Sequence, residues 1–379
     1  MNRDDRPLPE SRRDRLLSLL QERGTARVAE LASAAEVTAV TIRRDLKLLD
    51  DMGLVERVHG GARAVEAATE AQVTPAGSVA SASSVVPAAL PQLDGHLAML
   101  VPSLDFYWPV VVRAAEAEAR RFGLRLTLRG DSYENVDERP ALAPLFEAPH
   151  VRGVLAVPNV EGTHAADVID WIAEQSQPCV LMEREATAGP DHQPVESVVS
   201  DHALGAEMAV RHLWNLGHRR IGLVVSRTSP TTRKVKIGFE RVCEELGLDF
   251  EGCPSALIPD TRTIGFATAA DDVIDQVVAS DTTGLLVHSD REAMALVQHL
   301  ELRGLRVPRD ISVIAYDDEV AEMFTPALTA IRPARGALGQ AGVSLLVSRL
   351  IDPDRTVHRV TISPRLHVRE STAPPHPQP

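Results

Sequence analysis

From His96 onward, apolar runs of four to six residues alternate with amphipathic stretches of 12 to 16. That alternation is what β-α-β units around a parallel sheet require. Strands covered on both faces read as continuous apolar runs, and the crossover helices each need one apolar stripe. The pattern predicts strands at 97–101, 125–129, 153–157, 179–182, 221–225, 284–288 and 311–315. Helices fall between them at 109–122, 203–216, 233–246, 265–279, 290–303 and 336–351. Seven or more strands in about 280 residues exceed one doubly wound sheet, so two lobes are expected, with ligand bound beyond the carboxyl ends of their strands.

The first 63 residues follow a different rule. Leu16, Leu17, Leu19 and Leu20 form a helical stripe that stops at Gly24, and Val28, Leu31 and Ala32 begin a second short helix. Thr38 reads as the N-cap of a third, whose inward side is Val40, Ile42, Leu46 and Leu49 and which ends before Gly53. Residues 54–59 then alternate like a strand and break at Gly60-Gly61, as a hairpin would. Three short helices and a hairpin make a winged helix-turn-helix. With Ile42, Leu46 and Leu49 inward, Thr41, Arg44 and Lys47 lie outward with Arg43 beside them. Such a face suits a major groove: Arg pairs with guanine or phosphate, Thr touches a base edge, and Lys holds phosphate. Arg57, His59 and Arg63 on the hairpin are placed to reach the neighbouring backbone.

The Ala-, Ser-, Val- and Pro-rich stretch 64–95 is charged only at Glu66, Glu70 and Asp94 and reads as a linker. The expected organisation is a DNA-binding head at 1–63, a linker at 64–95, a two-lobe sensor at 96–373 and a disordered tail at 374–379.

Charge supports the division only through its distribution. The chain carries a net charge of −13, yet residues 1–63 hold 12 Lys and Arg against 11 Asp and Glu, leaving 28 against 42 for the rest. Three cysteines without a Cys-x-x-Cys pair leave a thiolate zinc site without ligands, so neither a metal nor another cofactor is expected. The absence of an apolar leader or an 18-residue apolar span points to a cytoplasmic protein that engages no membrane. The sequence holds no phosphate loop, nucleophile elbow, dinucleotide fingerprint or His-Glu-x-x-His motif. His212 and His218, six apart across a helix end, are expected to be structural, and Cys179, Cys243 and Cys253 to be core fillers.

Arg13 through Ala62, above all Val40-Thr41-Ile42-Arg43-Arg44-Asp45-Leu46 and Arg57-Val58-His59-Gly60-Gly61-Ala62, resembles the DeoR-type helix-turn-helix of bacterial sugar-metabolism repressors. The body resembles the sensor domain of LacI/GalR-type repressors, itself similar to periplasmic sugar-binding proteins. The matching stretches include Val101-Pro102-Ser103, His212-Leu213, Leu216 to Ile221, Ser289-Asp290, Val307 to Asp318, Pro326 to Ile331 and Val368 to Thr372.

The resemblance implies an α/β, periplasmic-binding-protein-like body of two doubly wound parallel-sheet lobes, hinged around a small molecule and dimerising through the lobes. It also implies a ligand set. Asp105, Tyr107 and Trp108 would lie in the loop after the first strand, Glu183 would follow the strand at 179–182, and Asp290 would take the place of the family's ligand-holding Asp. A carboxylate accepts two hydroxyl hydrogen bonds, and an aromatic face covers the apolar side of a sugar ring.

Two departures qualify that transfer. The family's hydroxyl-gripping Arg, three residues before Gly238-Phe239, is Val235 here, flanked by Lys234 and Lys236, and the family's own head and hinge helix are replaced. The expected function is a ligand-responsive repressor of carbohydrate-metabolism genes rather than an enzyme. It would bind double-stranded operator DNA and a sugar-like effector as a homodimer or larger. An enzyme on the same body, or a body serving only oligomerisation, remain as the other two readings at this stage.

Overall fold

In the computed structural model, residues 91–376 are described except 105, 106, 133–136 and 251. Toward the amino terminus the described residues are 15, 16, 19, 20, 24–35, 37, 38, 41, 42, 45, 46, 49, 55–58 and 61–64. The chain divides into two compact units, Met1–Pro91 and Gln92–Pro379.

The first unit is built on a small apolar core of Leu16, Leu20, Leu31, Ile42, Leu46, Leu49 and Val55. The helix Val28–Ala34 follows directly on the strand Thr25–Arg27. Thr38 caps the next helical stretch: its carbonyl accepts from Ile42 N–H at 3.1 Å and its Oγ1 from Thr41 N–H at 3.3 Å. The predicted hairpin is present as Val55–Val58 against Gly61–Ala64, and it gains a third strand, because Thr25–Arg27 pairs antiparallel with Gly61–Ala64. Gly61 allows that approach, since any Cβ there would run into the Ala26 carbonyl.

The second unit has two six-stranded sheets. The N-terminal lobe orders its strands Arg359–Ile362, Ser197–Ser200, Cys179–Met182, Val151–Ala156, His96–Val101 and Arg125–Gly130, all parallel. The C-terminal lobe orders Ser255–Ile258, Ile221–Ser226, Gly284–His288, Ser312–Tyr316, Thr329–Arg332 and Arg365–His367, parallel except for the last pair. Each sheet is covered on both faces, as apolar strands demand. In the N-terminal lobe, Tyr107–Arg121 and Arg335–Ile351 cover one face, and Arg139–Phe146 and Ala165–Ala173 the other. In the C-terminal lobe, His202–Leu216 and Thr232–Leu246 lie opposite Phe266–Ala279 and Asp290–Leu302.

The chain passes between the lobes three times, at Asp201, between Arg332 and Arg335, and between Ile362 and Arg365. Short connections keep these crossings together: Asp201 N–H donates to the Ile362 carbonyl at 2.9 Å. Fully buried Asp318 ties the junction further. Its carboxylate meets Arg332 Nε, His367 Nδ1 and Arg369 Nη1, each at 2.9 Å.

Several positions depart from the sequence expectation. Tyr107 and Trp108 open a helix instead of lying in a loop. Part of the expected linker is anchored, since Ala64 ends a strand and Leu93 N–H donates to the Phe122 carbonyl at 2.8 Å; residues 65–90 lie outside the described residues. At the other end Ala373, the last residue of the expected sensor, is held as expected by His218 Nε2 at 2.9 Å and by the Ser312 hydroxyl at 3.1 Å, while 377–379 of the expected tail lie outside the described residues.

Candidate functional site

Loops leaving the carboxyl ends of parallel strands converge between the lobes around a cavity of about 570 Å³. Pro102 follows His96–Val101, Asp131 and Ser132 follow Arg125–Gly130, Asn159 to Gly162 follow Val151–Ala156, and Glu183 to Glu185 follow Cys179–Met182. Across the gap, Arg227 to Pro230 follow Ile221–Ser226, and Arg233, Lys234 and Ile237 belong to the next helix. The two walls carry opposite charge. The N-terminal lobe supplies Asp131, Glu138, Glu161, Glu183 and Glu185 with Arg184, whereas the C-terminal lobe supplies Arg227, Arg233 and Lys234. Two ion pairs span the gap, Arg233 to Glu161 at 3.7 Å and Lys234 to Glu185 at 3.3 Å.

Glu138 is only 5 % exposed. One of its oxygens accepts from Asn159 N–H at 2.8 Å; the other, Oε2, is buried without a hydrogen-bond partner among the described residues. Burial pushes its carboxyl above the usual range. Arg184 is also buried, with Nε on the Pro158 carbonyl at 3.1 Å and Nη1 on the Glu183 carbonyl at 3.0 Å.

Behind the cavity a polar network joins the lobes. Glu183 accepts from the Tyr107 hydroxyl, from Ser200 Oγ at 2.5 Å and from Ser200 N–H at 3.0 Å. His202 Nε2 lies 3.4 Å from Glu183 Oε2, and His202 Nδ1 lies 3.2 Å from Tyr316 Oη. The Tyr316 hydroxyl also donates to the His202 carbonyl at 3.1 Å. The His288 ring lies 5.1 Å from that of Tyr316, tilted by 45°, and shares a hydrogen bond with Thr231 Oγ1 at 3.0 Å. Burial alone would raise the Glu183 carboxyl, but bonds from His202, Ser200 and Tyr107 bring it down to about 2. Desolvation and the adjacent Glu183 charge raise the Tyr107 hydroxyl well above its ordinary value. Burial lowers the His288 imidazole.

The expected ligand residues separate. Glu183 lines the cavity but is already held by four groups. Tyr107 is bound to Glu183, with the Arg335 guanidinium 5.8 Å from its ring centroid, and does not line the cavity. Trp108 is packed into the N-terminal lobe core, edge-on to Tyr107 at 5.5 Å. Asp105 lies outside the described residues.

Asp290 is placed away from the ligand role that the resemblance implied. It is 3 % exposed, and its oxygens accept from the backbone N–H groups of Asp318, Glu319, Val320 and Ala321 at 3.1, 2.6, 2.9 and 3.2 Å. It therefore closes a loop next to the hinge. Burial pushes its carboxyl up to about 6 against the pull of the backbone donors.

Of the expected DNA face, Thr38 and Thr41 are described, and their hydroxyls hydrogen-bond at 2.9 Å. Arg43, Arg44, Lys47, His59 and the Arg57 side chain lie outside the described residues. His212 and His218 tie down the carboxyl-terminal segment, through Thr372 Oγ1 at 3.0 Å and the Ala373 carbonyl. No cluster of His, Cys, Asp and Glu able to hold a metal occurs among the described residues, and no helix among them is long and apolar enough to cross a membrane.

The cavity residues missed from sequence include Asp131, Ser132, Glu138, Asn159, Glu161, Arg184, Glu185, Arg227, Ser229, Arg233 and Lys234. Most lie within a few positions of a strand end, and that rule, applied to every strand, finds them. Val235 is fully buried in the core beneath its helix, which leaves Lys234 as the neighbour that reaches the cleft.

Residues 12–68 match the DeoR-like helix-turn-helix domain, and residues 210–372 match the periplasmic binding protein-like domain. Among curated proteins, the chain is 28% identical over 284 residues to the HTH-type transcriptional repressor PurR of Pasteurella multocida, covering 73% of this chain and 80% of the relative. It is 29% identical over 364 residues to the HTH-type transcriptional regulator MalR of Streptomyces coelicolor, covering 92% and 97%. The fold is shared with a ribose-bound LacI family transcriptional regulator from Enterococcus faecium, at 23% identity and TM-score 0.59 over 74% of this chain and 99% of that one. It is shared also with the transcriptional regulator CelR in its cellobiose complex, at 20% identity and TM-score 0.63 over 97% and 100%.

Proposed function

We propose that this chain, which joins a DeoR-like helix-turn-helix domain to a periplasmic-binding-protein-like body, is a repressor of carbohydrate-metabolism genes. It binds operator DNA through the head and answers to a carbohydrate effector held between the lobes. The observation that carries this reading is the cavity at the carboxyl ends of two sheets joined by three adjacent crossings. Such a body has two arrangements, open and closed, and a ligand that touches both walls favours the closed one. Relatives named as regulators, and neighbours holding ribose and cellobiose, support the same reading.

On the DNA side, Thr38, Thr41, Arg43, Arg44 and Lys47 are assigned to the groove and Arg57 and His59 to the flanking backbone. One such head covers few base pairs, so a homodimer places two heads on adjacent half-sites. The network around Glu183 and His202 is placed to sense lobe closure, because its members come from both lobes.

Fluorescence anisotropy on DNA from upstream of its own gene, with and without a panel of carbohydrates and their derivatives, tests the reading. One compound should change DNA affinity about 5- to 150-fold, the span of ordinary coupling energies. Tight DNA binding that no compound alters would leave the body without an effector role.

A further inference from the structure

The cavity's charge layout is more specific than a carbohydrate site needs. Nine of its twenty lining residues are ionisable, and they are sorted by lobe, with acids and Arg184 on one wall and only cations on the other. Carboxylate and guanidinium groups can both meet the hydroxyls of a neutral sugar, but only a charged ligand gains from their sorting by lobe.

The basic wall is assembled at one point. Arg227 begins the loop that leaves Ile221–Ser226, and the helix Thr232–Leu246 begins five residues later, bringing Arg233 and Lys234 to the same rim. That helix has no side-chain cap: Thr231 Oγ1 is drawn to His288 instead, so the positive end of a 15-residue helix is left toward the cleft. Arg233 and Lys234 meet carboxylates of the opposite lobe, and no ion pair of Arg227 occurs among the described residues. The independent pointer is on the other wall. Glu138 is 95 % buried, and its Oε2 has no partner among the described residues, yet the residue lines the cavity. A buried carboxylate oxygen in a polar cavity takes a hydroxyl or ammonium group from whatever fills it.

We propose, resting on the cleft as the effector site, that the effector is a phosphorylated sugar, with its phosphate on the Arg227, Arg233 and Lys234 wall and a hydroxyl or ammonium group on Glu138. A dianion matches three cations and a helix N-terminus. It also takes over the carboxylates' place in the two interlobe ion pairs, so closure is held by ligand and not by Glu161 and Glu185.

The test uses the full chain in calorimetry and thermal-shift measurements with matched pairs: glucose and glucose 6-phosphate, fructose and fructose 1-phosphate, glucosamine and glucosamine 6-phosphate, with inorganic phosphate alone as reference. At least one phosphorylated member should bind about 100-fold more tightly than its parent sugar. Arg227→Ala, at an exposed position, should lower that affinity about 10-fold and flatten its salt dependence, and Glu138→Gln should weaken the sugar phosphate but not inorganic phosphate. A parent sugar that binds as tightly as its phosphate ester overturns the proposal, as does inorganic phosphate binding as tightly as any ester, or an Arg227→Ala protein with unchanged affinity. If no member of either set binds, the effector reading itself falls and this proposal with it; neutral binding alone sinks only the proposal.

Discussion

Glu183 Oε2 and His202 Nε2 stand 3.4 Å apart, both side chains buried, where the chain first passes from one lobe to the other. Glu183 follows the strand Cys179–Met182 of one sheet, and His202 opens the helix that packs on the other. Their contact ties the two lobes together through one buried polar pair.

A pH dependence follows. The Glu183 carboxyl is held at about 2 in the folded chain, below its ordinary value of 4.5, so folding favours its ionised form. That contribution is complete above the ordinary value and is lost as pH falls toward about 2. The melting temperature should therefore drop across this window. In Glu183→Gln the drop should be shallower, with a lower melting temperature at neutral pH; an identical slope would assign the effect to other carboxylates.

Each lobe carries one helix pair locked by a glycine. Gly238 lies against the Ala203 carbonyl and Gly339 against the Val111 carbonyl, and a Cβ at either would run into backbone. Gly238→Ala should cost about 2 kcal/mol or more, since backbone cannot yield as a flexible side chain does. Denaturant unfolding measures it; a loss below about 0.5 kcal/mol, the scale of a neutral surface change, would mean that the helices slide apart freely.

How much of this was legible depended on how well each element was buried. The strands at 179–182 and 284–288 match residue for residue, because central strands are continuous apolar runs with clear flanks. Ser197–Ser200, Thr329–Arg332 and Arg359–Ile362 were missed: they are four residues long and mix polar positions with apolar ones. Arg139–Phe146 was not among the expected helices; it carries Pro140 in the first turn, where proline is tolerated, and Pro144 inside. The site was less legible than the fold. The resemblance singled out Glu183 and Asp290, yet whether a carboxylate faces a cavity or a row of backbone N–H groups is decided by tertiary packing, which spacing does not encode.

Asp290 makes that difference measurable. Its carboxylate serves four backbone donors, so Asp290→Ala leaves several buried N–H groups without acceptors and should lower body stability by about 3 kcal/mol or more. Asp290→Asn, which keeps one acceptor oxygen, should lose less. Well below its melting temperature the Ala variant should still bind effector, because the carboxylate does not line the cavity. Calorimetry showing full stability but no effector binding would return Asp290 to the ligand set.

The head separates capping from recognition in the same way. Thr38 Oγ1 already accepts from Thr41 N–H, so Thr38→Ala should cost about 1 kcal/mol of head stability through the lost cap. In the sequence Arg44 follows Ile42 by two positions, and a helical period puts it opposite Ile42, Leu46 and Leu49, whose side chains are buried. Arg44→Ala should therefore leave stability within about 0.5 kcal/mol of the parent, the usual range for surface changes away from caps and core. Its effect on DNA depends on what it touches: a phosphate contact shortens the salt slope by about one counterion on every sequence, whereas a base contact costs about 1–3 kcal/mol on the operator alone. Anisotropy titrations over several salt concentrations, on operator and on unrelated duplex, distinguish the two. Unchanged affinity on both duplexes would remove Arg44 from the recognition surface and leave the contact to Thr41, Arg43 and Lys47.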